Sequence, residues 1–170
     1  MYKAAIRLIK IIEDHGFKAY IVGGYPRDLY LKRKSTDIDI CTNATPMQIK
    51  DIFGDAVLPN VSYGSVTVIY KNIRFEITTF RKEIKYENNR QPVKIKYIDS
   101  LIDDLKRRDF TVNAIAYNPK DGFIDIFNGM EDLKNGVIRC VGDPNERFKE
   151  DSLRILRAMR FGSKYGFIID

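Results

Sequence analysis

The sequence starts with apolar side chains at helical spacing and then changes to short apolar runs. Over residues 2–15 the apolar positions are three and four apart, which predicts an amphipathic helix. Residues 18–22 are a compact apolar run typical of a buried strand, and a second helix is expected over 26–32 because proline suits a first helical turn. Over residues 35–40 polar and apolar side chains alternate, so a second strand is predicted there.

The middle of the chain predicts a helix followed by an antiparallel hairpin. Thr45 is a suitable N-cap for a helix over 46–53, which starts with proline. Residues 65–70 and 73–80 alternate strongly and are separated by two residues, the pattern of a β-hairpin. Residues 83–97 are charged and amide-rich with little periodicity, so a mobile loop is expected.

The last third of the chain again mixes helical and extended patterns. The expected elements are a helix over 100–114, strands over 115–117, 123–126 and 137–141, a helix from 144, and a longer amphipathic helix through 165. Short strands mixed with helices, with at least one hairpin, indicate an α/β domain around a mixed sheet.

Composition and charge narrow the class of protein. The 170 residues are 44% apolar and 12% aromatic, enough for a buried core, and contain no run of about 18 apolar residues. We therefore expect no membrane association and a cytoplasmic location. Two cysteines and one histidine do not make a zinc site. The 29 Lys and Arg against 23 Asp and Glu give a net charge of +6, which favours a polyanionic partner such as nucleic acid or a nucleotide.

The first candidate site follows the first predicted strand. Gly23 and Gly24 would let backbone N–H groups approach phosphate oxygens at the start of a helix that carries Arg27. Asp37 and Asp39 are two apart on the next predicted strand, so their carboxylates point the same way with Cα atoms roughly 7 Å apart. Such a pair can hold two Mg²⁺ ions for in-line displacement at phosphorus. An ordinary glycine turn beside a solvated strand edge would contain the same residues.

A second candidate site lies in the segment RRDFTVN at 107–113. Two arginines, Asp109 and Asn113 can together bind a triphosphate and a ribose hydroxyl. A surface patch of ion pairs would have the same composition.

The third candidate lies on the predicted C-terminal helix, within EDSLRILR at 150–157. Asp151 and Arg154 are three apart, so an acceptor and a donor fork can meet the edge of a base. A salt bridge on the helix surface is the simpler alternative.

These segments, in this order, closely resemble the head and early neck of the class II tRNA nucleotidyltransferases, the bacterial family of CCA-adding enzymes and poly(A) polymerases. The resemblance is carried by IVGGYPRDLYLKRKSTDIDICTNATP, SYGSVTVIYKNIRFEITTFR, YENNRQP, RRDFTVNAIAYN and GVIRCVGDPNERFKEDSLRILRAMRF, and it covers residues 19–161. It implies a polymerase β-like nucleotidyltransferase fold of class α/β. The mixed, partly antiparallel sheet would be flanked by helices and followed by the first helices of an all-α neck.

The resemblance also implies a reaction and its residues. The expected activity is template-independent transfer of CMP and AMP, from CTP and ATP, to the 3′ end of tRNA with Mg²⁺ as cofactor. Asp37 and Asp39 would bind the metal, and Glu76 would be a third catalytic carboxylate. The residues expected around the nucleotide are Gly23, Gly24, Arg27, Arg108, Asp109, Asn113, Glu150, Asp151, Arg154 and Arg157. Among them, Asp151 and Arg154 would select the base.

The same resemblance predicts how the chain is organised. Residues 1–139 would be the catalytic head and 140–170 the start of a helical neck, and since family members continue further we expect an N-terminal part of a longer protein. The segment 82–96, with Tyr86, Arg90 and Pro92, resembles the flexible loop with which CCA-adding members change from C to A. Its presence favours CCA or A addition over CC addition.

Other functions remain open at this point. A poly(A) polymerase or an A-adding enzyme of the same family is the nearest alternative. A non-catalytic RNA- or nucleotide-binding module would have no use for the acidic pair, since unpaired acids repel phosphate. A small-molecule nucleotidyltransferase would share the glycines and aspartates but would not require the EDxxR segment at 150–154.

Overall fold

The computed structural model describes residues 1–58, 64–87 and 91–170, with the backbone alone at 85–87 and 91–94. The helices are α1 (Tyr2–Asp14), α2 (Gly24–Tyr30), α3 (Pro46–Phe53), α4 (Leu101–Lys106), α5 (Gly129–Asn135), α6 (Pro144–Glu150) and α7 (Leu153–Tyr165). The strands are β1 (Ala19–Val22), β2 (Asp39–Thr42), β3 (Ser65–Tyr70), β4 (Ile73–Thr79), β5 (Arg81–Glu87), β6 (Gln91–Tyr97), β7 (Ala116–Asn118), β8 (Gly122–Ile124), β9 (Val137–Ile138) and β10 (Ile168–Ile169). Short 3-10 turns lie at Gly54–Ala56 and Thr111–Asn113. None of the helices within the described ranges is long and apolar enough to cross a membrane.

Six strands form one mixed sheet in the order β3-β4-β2-β1-β7-β8. β2 runs parallel to β4, and the other neighbouring strands are antiparallel. β5 pairs with β6, and β9 with β10, in two separate small sheets. The predicted α/β class with a mixed, partly antiparallel sheet is confirmed, and so is the β3–β4 hairpin.

Buried side chains cover both faces of the sheet. On one face, Leu8 of α1 belongs to the same apolar cluster as Ile40 of β2. On the other face, Cys41 of β2 packs with Leu105 of α4. Full burial of a side chain of this size stabilises a fold by about 1.5–3 kcal/mol. Because successive strand residues point to opposite faces, Asp39 lies on the same side of the sheet as Cys41 and α4.

The helix α7 is also seated against the sheet domain. Its Phe161 and Tyr165 share a buried cluster with Phe110 and Leu133. The rings of Phe110 and Phe161 meet edge to face with their centroids 6.0 Å apart. This packing places α7 next to the segment that follows α4.

The second predicted strand is displaced in the structure. The sequence predicts an extended segment over 35–40, but β2 covers Asp39–Thr42. The pairing with β1 begins at Val22 and Asp39, so the residues before Asp39 lie outside this ladder. Ser35 Oγ instead donates to the Asp37 carbonyl at 3.1 Å, a local bond that favours a turn. Asp37 therefore precedes the strand, and strand alternation does not fix its direction.

The loop predicted over residues 83–97 is wrong for the described residues 83–87 and 91–97, which are extended. The backbone forms the hairpin β5–β6, with register shifts between Glu83 and Tyr86. A two-stranded sheet needs no continuous apolar face, so its sequence shows no clear alternation. The backbone of Tyr86 and Pro92 lies in these strands, and Arg90 lies outside the described residues.

The single helix expected over 100–114 is also wrong. α4 ends at Lys106, and the chain then runs alongside the segment before α6. The N–H of Val141 donates to the Asp109 carbonyl at 3.0 Å, and Phe110 forms a β-bridge with Cys140. This long-range pairing overrides the local helical pattern. Neither α5 nor β10 was predicted, because such short elements carry little periodicity.

The sequence predicted one helix for the EDxxR segment, but in the structure this segment is divided between two helices. α6 ends at Glu150, Asp151 is extended with φ −144° and ψ 102°, and α7 starts at Leu153. A backbone bond of 3.1 Å from the N–H of Arg154 to the Asp151 carbonyl closes the turn between the two helices. Asp151 thus projects from a helix junction rather than from a helix face.

Gly129 allows α5 to lie against the turn after α4. A Cβ there would lie 2.2 Å from the Thr111 carbonyl oxygen. We expect Gly129→Ala to lower the free energy of unfolding by about 3 kcal/mol, because backbone atoms must move. Gly122→Ala is the control: Gly122 has φ +73°, and a Cβ there would have no atom of the described residues within 4 Å, so it should cost about 1 kcal/mol. Urea unfolding compares them, and an equal loss at both positions would contradict the steric explanation.

Candidate functional site

A cleft of about 540 Å³ opens between the start of β2, α2, the turn after α4 and α7. Arg107 of the second candidate segment lines it, and so do ten of the site residues that the family resemblance implied. These ten are Gly23, Gly24, Arg27, Asp39, Arg108, Asp109, Asn113, Asp151, Arg154 and Arg157. Seven basic side chains against four acidic ones line the cleft, a balance that suits a polyanionic ligand.

The glycine pair brings the backbone close to Asp39. Gly23 has φ +72°, and a Cβ there would lie 3.0 Å from Asp39 Oδ2. A Cβ on Gly24 would lie 3.1 Å from an Arg27 guanidinium nitrogen. Glycine is required at the first position by both conformation and contact, so the backbone of this turn is exposed to whatever occupies the cleft.

Acidic side chains meet where β2 and β4 run in parallel. Asp39 and Glu76 are direct neighbours in the register of these two strands. Asp39 as a whole is solvent-exposed, but desolvation of its carboxyl among the neighbouring side chains raises the pKa of that group above its ordinary value. The charges of Glu76 and Asp37 raise this pKa further, and Arg108 opposes the rise. Asp37 and Glu76 do not line the cleft itself. The strand register, which the sequence did not reveal, is what brings Glu76 to Asp39.

These carboxylates fit Mg²⁺ as donors. They offer only oxygen ligands, which hard divalent cations prefer. Within residues 1–58, 64–87 and 91–170, no three His, Cys, Asp or Glu side chains converge into a complete metal cluster. Mg²⁺ that serves nucleotide substrates is commonly held by one or two carboxylates, with phosphates and water completing its shell. A cation would also offset the repulsion from Glu76 and Asp37, which adds to the effect of desolvation on the pKa of Asp39.

Arg108 contributes a cation beside the acids. Its Nη2 lies 3.5 Å from Asp104 Oδ2, and its Nη1 would be 4.0 Å from a Cβ on Gly23. Among the described residues its buried Nε has no hydrogen-bond partner. Asp104 is fully buried and also accepts from the Arg81 N–H at 3.1 Å and from Arg107 Nε at 2.9 Å. A guanidinium that Asp104 holds on one side and that lines the cleft on the other suits the oxygen of an anionic ligand.

A chain of four polar side chains crosses the cleft lining. Arg27, only 5% exposed, donates from Nη1 to Asn113 Oδ1 at 2.5 Å, and its guanidinium carbon is 4.8 Å from the Tyr165 ring centroid. Asn113 Nδ2 donates to Asp109 Oδ1 at 3.2 Å. Arg157 Nε donates to Asp109 Oδ2 at 2.7 Å. Because each group holds the next, Asn113 and Asp109 are fixed in orientation.

The junction of α6 and α7 carries the third predicted group. Arg154, 5% exposed, donates from Nη1 to Glu150 Oε2 and to the Arg147 carbonyl, each at 2.9 Å. Asp151 Oδ1 accepts the N–H of Leu153 at 3.0 Å. Glu150 does not line the main cleft but an adjoining depression of about 230 Å³. Arg154 and Asp151 thus both face the cleft, and Glu150 holds Arg154 from outside it.

Sequence reasoning assigned no site role to four residues that line the cleft. They are Glu83, Arg160, Phe161 and Lys164. Arg157, Arg160 and Lys164 follow one another at three- and four-residue spacing, so the basic stripe on α7 was visible in the sequence. Glu83 carried no such signal, because the hairpin that contains it was not predicted.

Comparison with known proteins gives consistent results. The family model described as "Poly A polymerase head domain" matches residues 19–139. A CCA-adding enzyme of Lactobacillus helveticus is 46% identical over 166 residues, covering 98% of this chain and 42% of that protein. The crystal structure of the Bacillus stearothermophilus CCA-adding enzyme in complex with CTP superposes with a TM-score of 0.90 at 39% identity, covering 99% of this chain and 40% of that one.

A second solved structure is similar as well. The Thermotoga maritima CCA-adding enzyme complexed with tRNA_CCA has a TM-score of 0.76 at 32% identity, and the match covers 99% of this chain and 38% of that one. The chain therefore spans about two fifths of the length of the relatives it matches.

Proposed function

Since the chain belongs to the poly A polymerase head domain family, we propose that it is the nucleotide-transferring region of a CCA-adding enzyme. It would transfer CMP and AMP from CTP and ATP to the 3′ end of tRNA. The observation that carries the proposal is the cleft in which acidic Asp39 faces a surface of basic side chains. Acids at the reacting phosphorus and cations around the remaining phosphates are what nucleotidyl transfer needs.

In this proposal the acidic neighbours hold Mg²⁺. Asp39 and Asp37 are the ligands we assign, with Glu76 alongside Asp39 as a third catalytic carboxylate. When bound, the metal would activate the RNA 3′-hydroxyl and neutralise charge on the leaving pyrophosphate. The chain itself contributes the fixed position of Asp39, which strand pairing on both sides of β2 provides.

The triphosphate is assigned to the glycine turn and to the basic side chains. The close backbone approach at Gly23 and the cleft-lining guanidinium of Arg108 are suited to phosphate oxygens. Asp109 and Asn113 are assigned to the sugar hydroxyls. Arg27 is engaged with Asn113, so its role is to hold that amide in place.

Base selection is assigned to Asp151 and Arg154. Cytosine and adenine both present an amino donor beside a ring-nitrogen acceptor, whereas uracil and guanine present a carbonyl beside an N–H. A carboxylate acceptor next to a guanidinium donor matches the first pattern and opposes the second. Both side chains line the cleft on one wall, which supports this assignment.

We also propose an organisation and a location. Residues 1–139 would be the catalytic head, and 140–170, with α6 and α7, would begin a helical neck. The protein would be cytoplasmic, in the compartment that holds its tRNA substrate.

The direct test uses a tRNA that lacks its terminal CCA, incubated with the protein, Mg²⁺, CTP and ATP, with one labelled nucleotide in each assay and labelled UTP or GTP in parallel assays. We expect incorporation of CMP and then AMP, and none of UMP or GMP. If CTP binds but no label reaches the RNA under any condition, transfer by this chain is contradicted.

Removal of Asp151 should blur the choice of base. We expect Asp151→Ala to lower the preference for CTP over UTP about tenfold or more, because the lost acceptor is the group that opposes the uracil carbonyl. The ratio of dissociation constants measured by calorimetry reports this directly. Glu146→Ala, at an acidic surface position on α6 that pairs with Lys149, is the control and should leave the ratio unchanged. If Asp151→Ala kept the full preference for CTP over UTP, Asp151 would have no role in base selection.

A further inference from the structure

Arg147 of α6 holds together three acceptors from two parts of the chain. Its Nη1 pairs with Glu150, and its Nη2 donates to the carbonyl oxygens of Arg107 at 2.5 Å and Arg108 at 2.9 Å. The side chain is 11% exposed. Nothing in the sequence had singled out this arginine, because its acceptors are backbone carbonyls about 40 residues away.

Two of these acceptors are shared with Arg154. Arg154 Nη2 donates to the Arg107 carbonyl at 3.3 Å, and its Nη1 donates to Glu150 Oε2 at 2.9 Å. The carbonyl of Arg147 itself accepts from Arg154 Nη1 at 2.9 Å. The orientation of the Arg154 guanidinium is therefore defined by the same groups that Arg147 holds.

The turn that Arg147 holds also carries the ligand-facing groups of the second site segment. Arg108 and Asp109 follow directly after the Arg107 carbonyl and both line the cleft. From the other side, the Asp109 carbonyl is held by the N–H of Val141 at 3.0 Å. The turn is thus fixed on one side by backbone pairing and on the other by Arg147, which holds both carbonyls, with a longer bond from Arg154 to the first of them.

We propose that Arg147 is a positioning residue for nucleotide selection, which sets the placement of Arg154 relative to the Arg108–Asp109 turn. The inference rests on the proposed function, because it presumes that Arg154 reads the base. Arg147 does not line the main cleft and is not assigned any contact with the nucleotide. Arg147 acts by fixing the distance between Arg154, which would contact the base, and the Arg108–Asp109 turn, which would bind phosphate and sugar.

Lysine cannot replace arginine in this arrangement. A guanidinium is planar and presents several N–H groups in fixed directions, so it can hold two successive carbonyls and a carboxylate at once. An ammonium keeps the charge but is a single point, and its attraction to Glu150 does not define both carbonyls. Arg147→Lys therefore separates geometry from charge.

The test compares nucleotide binding by the unaltered chain with Arg147→Lys and Arg147→Gln. Titration with CTP and with UTP in Mg²⁺ gives the ratio of their dissociation constants, and thermal unfolding is measured in parallel. We expect the preference for CTP to fall about tenfold in both variants, since Arg154 loses its fixed orientation. A role confined to stability would lower the melting temperature and weaken CTP and UTP equally, leaving the ratio unchanged, and that result would overturn the proposal.

The same helix offers a matched control. Lys149 is 75% exposed and pairs with Glu146, so Lys149→Gln removes one positive charge from α6 without touching the carbonyls. The ratio of the dissociation constants for CTP and UTP in Lys149→Gln should equal that of the unaltered chain. An equal fall in Lys149→Gln would assign the effect to overall charge and contradict the positioning role.

Failure of the proposed function has a different outcome. If the unaltered chain itself shows no preference for CTP over UTP, then base selection by this chain fails. If that preference exists and is lost in Asp151→Ala but kept in both Arg147 variants, the positioning inference alone is overturned.

Discussion

Replacement of Asp39 by asparagine is expected to reduce nucleotide transfer about a thousandfold or more, because an amide cannot supply the negative charge that holds Mg²⁺ at the reacting phosphorus. The free energy of unfolding should not fall. Desolvation of its carboxyl and the neighbouring Glu76 raise the pKa of Asp39, which means that its ionised form is disfavoured in the folded protein. Removal of that charge at pH 7 should leave stability equal or slightly higher. Transfer to tRNA and urea unfolding together test both parts.

A control for Asp39→Asn must change charge equally elsewhere. Glu131→Gln serves, because Glu131 is 61% exposed and lies on α5 opposite Lys134. It should change neither transfer nor Mg²⁺-dependent binding of CTP. If Asp39→Asn retained more than a tenth of the transfer rate, the metal assignment would be wrong. If it unfolded much more easily than Glu131→Gln, the expectation that loss of the Asp39 charge does not destabilise the fold would be wrong.

Loss of Asp104 is expected to have the largest effect on stability. This carboxylate is fully buried and is in contact with the Arg81 N–H and with the guanidinium groups of Arg107 and Arg108. Asp104→Ala leaves these cations without their common partner, and breaking such a buried pair typically costs about 3–5 kcal/mol. Arg108 would also lose its support, so CTP should bind more weakly in the folded fraction. Urea unfolding and CTP titration measure the two effects.

The neighbouring position provides the comparison for Asp104. Asp103 pairs with Lys106 on the exposed side of α4 at 3.0 Å. Exposed pairs contribute little, so Asp103→Ala should change the unfolding midpoint only slightly. Similar losses for the two variants would show that helix α4, rather than the buried network, is responsible.

The sequence predicted the local elements better than their long-range partners. The capped helix at Pro46–Phe53 has the predicted bounds, because Thr45 and Gln48 form a capping box within a few residues. The break at Asp151 and the end of α4 at Lys106 were missed, since both depend on contacts between residues about 30 to 47 positions apart. Such contacts leave no trace in a window of local periodicity.

The candidate site divides in the same way. The segments with Gly23, Asp39, Asp109 and Arg154 could be found because their residue types are suited to phosphate, metal and base chemistry. Their convergence on one cleft could not be derived, because it depends on the order of strands and on how α7 packs against Phe110. Arg147 and Glu83 were missed because their partners come from other elements.

The parallel pairing of β2 with β4 has a consequence for the order of folding. Asp39 and Glu76 become neighbours only when strands separated by a helix and another strand have joined, and pairings of high sequence separation form slowly. Until then the two carboxylates are too far apart to repel one another. Their repulsion therefore does not raise the free energy of the chain before β2 and β4 pair. Tight binding of a divalent cation would accordingly report that β2 and β4 have paired, and a cation present during refolding should stabilise the native state without accelerating earlier steps.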